Sequence, residues 1–232
     1  NVLFSEADRL NELAKYKDGI TNDEKFSKVI AGTNTVMMYS VKYEPTTGPV
    51  SKVGVIKLGK PDKFIYNFPG IVTTLPEFLK HARGAGVNIM IPSIDGTVRQ
   101  IPLFINSDVG TVPNQVLETF RVLVNGNKYK ITAIDKGIQS VHLSKNYKIL
   151  TDKNSMFNIN FAKSNSINTY SATELLTTDI DLLDKIVIVG LDASGLSYLK
   201  DTPLGVMTDA QITAQAIETA FTKTQLIRNG NT

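Results

Sequence analysis

The chain has 232 residues, a formal net charge of +3, 42% hydrophobic and 20% charged residues, and no cysteine. That composition is globular and not disordered. It rules out disulfides, thiolate catalysis and cysteine-ligated zinc. Arginine is confined to Arg9, Arg83, Arg99, Arg121 and Arg228, and the lysines are scattered, so no basic face points to nucleic acid. No run reaches the roughly 18 apolar residues of a membrane span, and the opening residues lack the basic-then-apolar order of a signal peptide. Because the first residue is Asn1 and not methionine, the expectation is a piece of a longer protein whose membrane segments lie outside this sequence.

In chain order, "FSEADRLNELAKYKDG" predicts a helix capped by Ser5, with Ala7, Leu10, Leu13 and Ala14 as its apolar stripe. "TNDEKFSKVIAG" predicts a second helix, capped by Thr21 or Asn22, with Phe26, Val29 and Ile30 facing inward. Thr35 to Tyr43 reads as a buried strand, and residues 44–75 as mostly irregular because of their prolines and glycines. "TLPEFLKHARGAG" predicts a helix starting near Pro76 and stopping near Gly84. "VNIMIPSIDGTVRQIPLFI" predicts two strands joined as a hairpin at Asp95–Gly96.

"VPNQVLETFRVLVNG" predicts another helix, and residues 129–161 a run of short antiparallel strands. "SATELLTT" predicts a short helix and "KIVIVG" a buried strand. "TDAQITAQAIETAFTK" predicts a closing helix capped by Thr208 and Gln211, with Ile212, Ala216, Ile217 and Ala220 inward. Helices alternate with strands at both ends around a strand-rich middle. The expected fold is therefore α/β, with a mixed sheet, flanking helices and antiparallel additions, in a single domain over 1–232.

Few patterns suggest catalysis. "IVIVGLDASGLS" has the strand and glycine spacing of a phosphate loop, but Leu196 stands where the phosphate-binding lysine belongs. The segment reads instead as a glycine-dependent turn in which Asp192, Ser194 and Asp201 can hold backbone amides. His81 and His142 sit in different elements without metal-ligand spacing, both at outward polar positions. No G-x-S-x-G elbow is present. Asp179, Asp181 and Asp184 lack the glycine and glutamate of a calcium loop and read as a solvated cluster. In "PSIDGTVRQIPL", Asp95 and Arg99 either form a turn with an ion pair, or Arg99 faces an anionic ligand or partner from within an apolar strand.

Taken together, "FSEAD", "GAGVNIMIPSIDGTVRQIPLF", "YSATELL", "DKIVIVGLDASGLSYLKDTPLG" and "ITAQAIETAF" occur in an order that resembles the CHASE sensor domain of the second type (cyclases/histidine kinases associated sensory extracellular). Gly86, Asn88, Pro92, Asp95, Gly96, Arg99, Pro102 and Leu103 match its mid-chain pattern. Lys185, Gly190, Ala193, Gly195, Leu196, Thr202 and Pro203 match the later one. Ser93 and Tyr198 stand where the family has aspartates.

The resemblance implies an extracytoplasmic input domain on the bacterial cytoplasmic membrane. Flanking spans would lead to an adenylate, guanylate or diguanylate cyclase or a histidine kinase. It also implies a further strand upstream of "FSEAD". The expected signal is a small molecule or a protein, the expected assembly a homodimer, and no cofactor, metal or nucleic acid is expected; the alternatives are a ligand-free dimerisation module whose closing helix, Asp209 to Phe221, pairs with its twin, and a soluble α/β hydrolase. The expected ligand or signalling surface comprises Asn88, Asp95, Arg99, Asp192, Ser194, Asp201 and Thr202. Gly86, Pro92, Gly96, Pro102, Gly190, Gly195 and Pro203 are its structural motif.

Overall fold

A computed structural model describes residues 21–50, 53–162, 167–193 and 197–225. The predicted helix around Ser5–Ala14, together with Ser194 and Gly195, lies outside the described residues. In chain order the elements are α1 (Asn22–Ala31), β1 (Val36–Lys42), β2 (Gly54–Leu58), β3 (Tyr66–Asn67), β4 (Gly70–Val72), α2 (Pro76–His81) and β5 (Gly84–Val87). Next come β6 (Gln100–Pro102), β7 (Phe104–Ser107), β8 (Gly110–Pro113), α3 (Gln115–Leu123), β9 (Lys128–Ile134), β10 (Gly137–Ser144) and β11 (Tyr147–Ile149). The last are β12 (Met156–Asn158), α4 (Ala172–Thr177), β13 (Leu199–Thr202), β14 (Gly205–Thr208) and α5 (Asp209–Thr222). The fold is α/β, built from several small mixed and antiparallel sheets.

Local chemistry explains where the helices start. Thr21, Ser171 and Thr208 each accept from the backbone three residues on, while Glu24, Glu174 and Gln211 reach back to the cap amide. These reciprocal bonds satisfy donors that the first turn would otherwise leave free. Burial departs from expectation in α1. Ile30 is buried, but Phe26 and Val29 are 49% and 60% exposed. The helix rests against short α2, where Phe26 meets Phe78 edge-on at 5.1 Å, and this covers only one side.

Strand β1 lies between β4, antiparallel, and β5, parallel. Of its residues only Tyr39 is buried, so the fully buried strand expected there is half-covered. Tyr39, Ile71, Ala85, Val87, Ile105 and Val112 form a small core under this sheet. A second, larger core lies beneath the sheet β11–β10–β9–β2, in which β2 runs parallel to β9 and the rest is an antiparallel meander. Phe104, Leu117, Phe120, Tyr129, Ile131, Val141 and Phe157 are its bulk, and Ile212, Ala216 and Ile217 of α5 close it.

Two expected strands are corrected. The segment Lys185–Gly190 ("KIVIVG") forms no regular element and pairs with no strand among the described residues, and Val187 and Val189 are 52% and 94% exposed. An apolar run reads as buried, but burial needs a neighbouring strand, and only Ile188 finds the core. The Asp95–Gly96 hairpin is corrected too. The tight turn forms, but its flanking strands separate, β5 pairing with β1 and β6 with β12.

Helix α3 joins the two cores. Asn114 caps it through a bond from the Val116 amide at 2.9 Å. Its apolar face carries a buried ion pair: Glu118 is fully buried and Arg121 is 8% exposed. Arg121 donates to the carboxylate through Nε at 2.9 Å and Nη2 at 2.7 Å. Nη1 donates to the Gly126 carbonyl and Nη2 also to that of Arg83, the latter at 2.8 Å. The buried Tyr129 hydroxyl donates to the same carboxylate. Burial first, and then Glu118, push the Tyr129 phenol well above its usual range. Every polar atom is partnered, which a charge in a low-dielectric interior requires.

Substituting Glu118→Gln leaves a buried guanidinium without its counter-charge and is expected to cost about 3–5 kcal/mol. Urea unfolding of E118Q, R121M and the double variant measures this, with the double expected to lose less than the sum of the singles. Gly84→Ala is expected to be comparably damaging, because a Cβ there would lie 2.0 Å from the Glu118 carboxylate oxygen that Arg121 holds in place.

Candidate functional site

The two motif regions meet at one backbone bond. The Val98 amide donates to the Asp201 carbonyl at 2.8 Å, joining the loop before β6 to the β13–β14 hairpin. The loop begins after β5, where the Asn88 amide donates to the Tyr39 carbonyl at 2.9 Å and Gly86 lets the strand pass close to the start of α3. A Cβ on Gly86 would lie 2.8 Å from the Gln115 nitrogen. Beyond exposed Pro92, Ser93 and Thr97 close a tight turn: the Ser93 amide donates to the Thr97 carbonyl and that of Gly96 to the Ser93 carbonyl, both at 2.9 Å. Gly96 sits at φ +78°, which suits a residue without Cβ.

Asp95 and Arg99 form the polar centre of this turn. The guanidinium meets the carboxylate through two bonds of 2.8 Å, and the Thr97 amide adds a third at 3.1 Å. The side chains are 55% and 47% exposed. The Arg99 fork first, and then the Thr97 amide, hold the Asp95 carboxyl far below the usual carboxylate range; Asp95 in turn raises Arg99. Arg99 precedes β6 and is not within a strand, and its fork is taken by Asp95 instead of facing an empty cleft. Its neighbours Val98 and Ile101 are buried, so the guanidinium stands on a fixed base at the surface. Pro102 is buried in β6, opposite Met156.

On the other side, Thr202 and Gly205 close the hairpin around exposed Pro203 and Leu204. Buried Thr202 donates its hydroxyl to the Gly205 carbonyl at 2.6 Å and accepts from the Leu204 amide at 3.3 Å. Asp201 contributes its carbonyl, with its side chain exposed. Lys200 is paired with Asp209 in the first turn of α5, and Thr208 at the end of β14 caps that helix. The hairpin is thus fastened to α5 at two points. Gly190 packs its segment against Ala210, where a Cβ would come within 2.5 Å of the alanine Cβ. Asp192 is exposed two residues further on.

The structure thus brings Asp95, Arg99, Asp201 and Thr202 into one region, with Asn88 anchoring the far end of the loop. Among the described residues no group of three or more His, Asp or Glu side chains could hold a metal ion. A cavity of about 270 Å3, lined by Tyr39, Val50, Val53, Ala85, Val109 and Thr111 among others, lies against the smaller core and touches none of the nominated residues. Sequence reasoning found the Thr208 cap but missed the Lys200–Asp209 pair, which fastens the hairpin to the helix. The only signal was the shortness of the link between "LKDTPLG" and "TDAQ".

A family model, the CHASE2 domain, matches residues 1–231. The chain belongs to that family, whose members are extracellular sensory, non-catalytic domains of signalling receptors. No curated protein and no solved structure matches the chain. No helix among the described residues is long and apolar enough to cross a membrane.

The Asp95–Arg99 geometry has a pH signature. A carboxyl whose folded pKa is depressed adds stability above its unfolded value of 3.8, and that stability is lost as pH falls below it. Asp95→Asn is therefore expected to flatten the acid limb of the stability curve. The wild-type minus variant difference should be constant above pH 5 and shrink toward about pH 2, as read by thermal unfolding across pH.

Proposed function

From membership of the CHASE2 family we propose that this chain is the extracytoplasmic signal-input domain of a membrane-anchored bacterial receptor, controlling a cytoplasmic nucleotide cyclase, diguanylate cyclase or histidine kinase. The observation that carries the reading is the family match across essentially the whole chain. The input is an anionic group on a small molecule or a protein. It competes with Asp95 for the Arg99 fork, whose two bonds suit a carboxylate or phosphate.

The route from that event to the rest of the receptor is short. Releasing Asp95 frees the turn at Ser93–Thr97, which is tied through Val98 to Asp201 and so to the β13–β14 hairpin. The hairpin in turn holds the first turn of α5 through Thr208 and Lys200. A ligand shifts such a system only by as much as it prefers one state over the other. The functional form is a homodimer. Before Phe221, however, no residue of α5 is exposed, so pairing of the closing helices would have to begin at its C-terminal end, and other surfaces carry the contact.

Sequencing the gene on both sides of this segment tests the reading. Spans followed by a cyclase or kinase domain are expected, and a gene without spans overturns it. In the full-length receptor, Arg99→Ala is expected to abolish the response to signal while leaving basal output in place, and Asp95→Ala to shift basal output toward the signalled level. Output assays with melting temperatures measured alongside check both. An R99A receptor that still responds and merely melts earlier would reduce the pair to a structural clasp.

A further inference from the structure

The sheet β11–β10–β9–β2 has one face on the large core and one turned away from it. Register separates the two. Ile131, Val141 and Ile149 make one inward row, with Val55 and Tyr129 beside it, while Lys57, next in that register on edge strand β2, is exposed and pairs with Asp62. The outward rows are Ile56, Lys130, His142 and Lys148 across all four strands, then Gly54 with Lys128 on one side and Leu58 and Thr132, next to buried Ser140, on the other. These rows hold three lysines and a histidine and no carboxylate. All three lysines are exposed, and none is ion-paired among the described residues. Edge strand β2 adds Ile56 and Leu58, 40% and 44% exposed, to the same face.

A flat basic face with aliphatic side chains at its margin fits an anionic bilayer surface: the lysines meet phosphate groups and the aliphatic chains reach the interface. A further lysine stands at the margin of this face. Lys223, just past α5, lies with its ammonium 5.9 Å from the Tyr147 ring centre, and Gln225 donates to the Leu150 carbonyl at 2.9 Å. Lys223 and Gln225 therefore lie beside β11, at the rim of the lysine face.

Resting on the membrane-anchored reading above, we infer that the outward face of this sheet, centred on Lys130, His142 and Lys148, docks on the anionic headgroup surface of the membrane that carries the receptor. The row also makes docking sensitive to pH. His142 faces Lys130 from β9 and Lys148 from β11, and it is held below its ordinary value by burial first and then by these two lysines. An anionic surface neutralises the lysines and favours the charged imidazole, so docking strengthens as pH falls below about 6.5.

The test is co-sedimentation of the 232-residue chain with phosphatidylglycerol-containing vesicles and with pure phosphatidylcholine vesicles. Binding only to the former is expected, weakened by salt. Lys130→Ala/Lys148→Ala should reduce it about 25-fold, from roughly fivefold per lysine at an anionic surface. His142→Gln should remove the rise at low pH. Both sites are exposed or half-exposed on the sheet, and far-ultraviolet circular dichroism checks that the variants remain folded. Absence of vesicle binding, or equal binding by the double variant, overturns the inference. So does lysine-dependent capture of a soluble acidic peptide without vesicle binding, which would assign the face to a protein partner. Spans in the gene with no vesicle binding would sink this inference alone, whereas a gene without spans would remove the reading beneath it.

Discussion

The fold depends on one buried charge. Arg121 sits between the two cores with all three nitrogens bonded: two bonds on Glu118, one on the Gly126 carbonyl that precedes β9, and one on the Arg83 carbonyl at the start of β5. The carboxylate it needs is on the same helix one turn back, and Tyr129 adds a third bond from the large sheet. Burying these ions is costly, and the arrangement offsets the cost with a two-bond ion pair and further hydrogen bonds to both partners. In return α3 has one position relative to both sheets, which an apolar contact would not impose so strictly. Glycine at 84 and at 126 follows from this, since side chains there would meet Glu118 or the Leu143 carbonyl.

That fixed frame places the candidate site. β5 leads from the Arg83 anchor into the loop carrying Asp95 and Arg99, and β6 returns it to the large core through Ile101. The loop is therefore held at both ends while its centre stands in solvent. The pair at its centre is half-exposed, so its attraction is screened and its release is cheap compared with that of Glu118 and Arg121. One chain thus uses an arginine–carboxylate pair twice, once buried and once at the surface.

How much of this was legible in the sequence follows from the range of each interaction. The caps at Thr21 and Thr208 and the turn at Asp95–Gly96 were readable because donors and acceptors lie within four residues. The antiparallel run after residue 128 was readable from alternation. Pairing partners were not: nothing local says that β6 joins β12, or that β2 joins β9 in parallel. The apolarity of Ile186–Val189 argued for burial, yet no described strand lies beside it. Glu118 and Arg121 look like an ordinary surface pair at helical spacing until Tyr129 and the carbonyl of Arg83 arrive from distant segments. At the candidate site, Asp95 and Arg99 could be named as a pair, but their link to α5 through Asp201, Thr208 and Lys200 exists only in three dimensions.

The parallel pairing of β2 with β9 has a kinetic consequence. The meander β9–β10–β11 closes through two short turns, whereas β2 must wait for everything from β3 to α3 to be threaded between it and its partner. Loop-closure entropy disfavours the long connection until the rest is in place, so β2 joins last. Until it does, β9 presents an open edge of unpaired amides and carbonyls. At high protein concentration, the β2 of a neighbouring molecule can occupy that edge as well as the chain's own. Strand exchange through β2 is the misassembly to which this topology is most open.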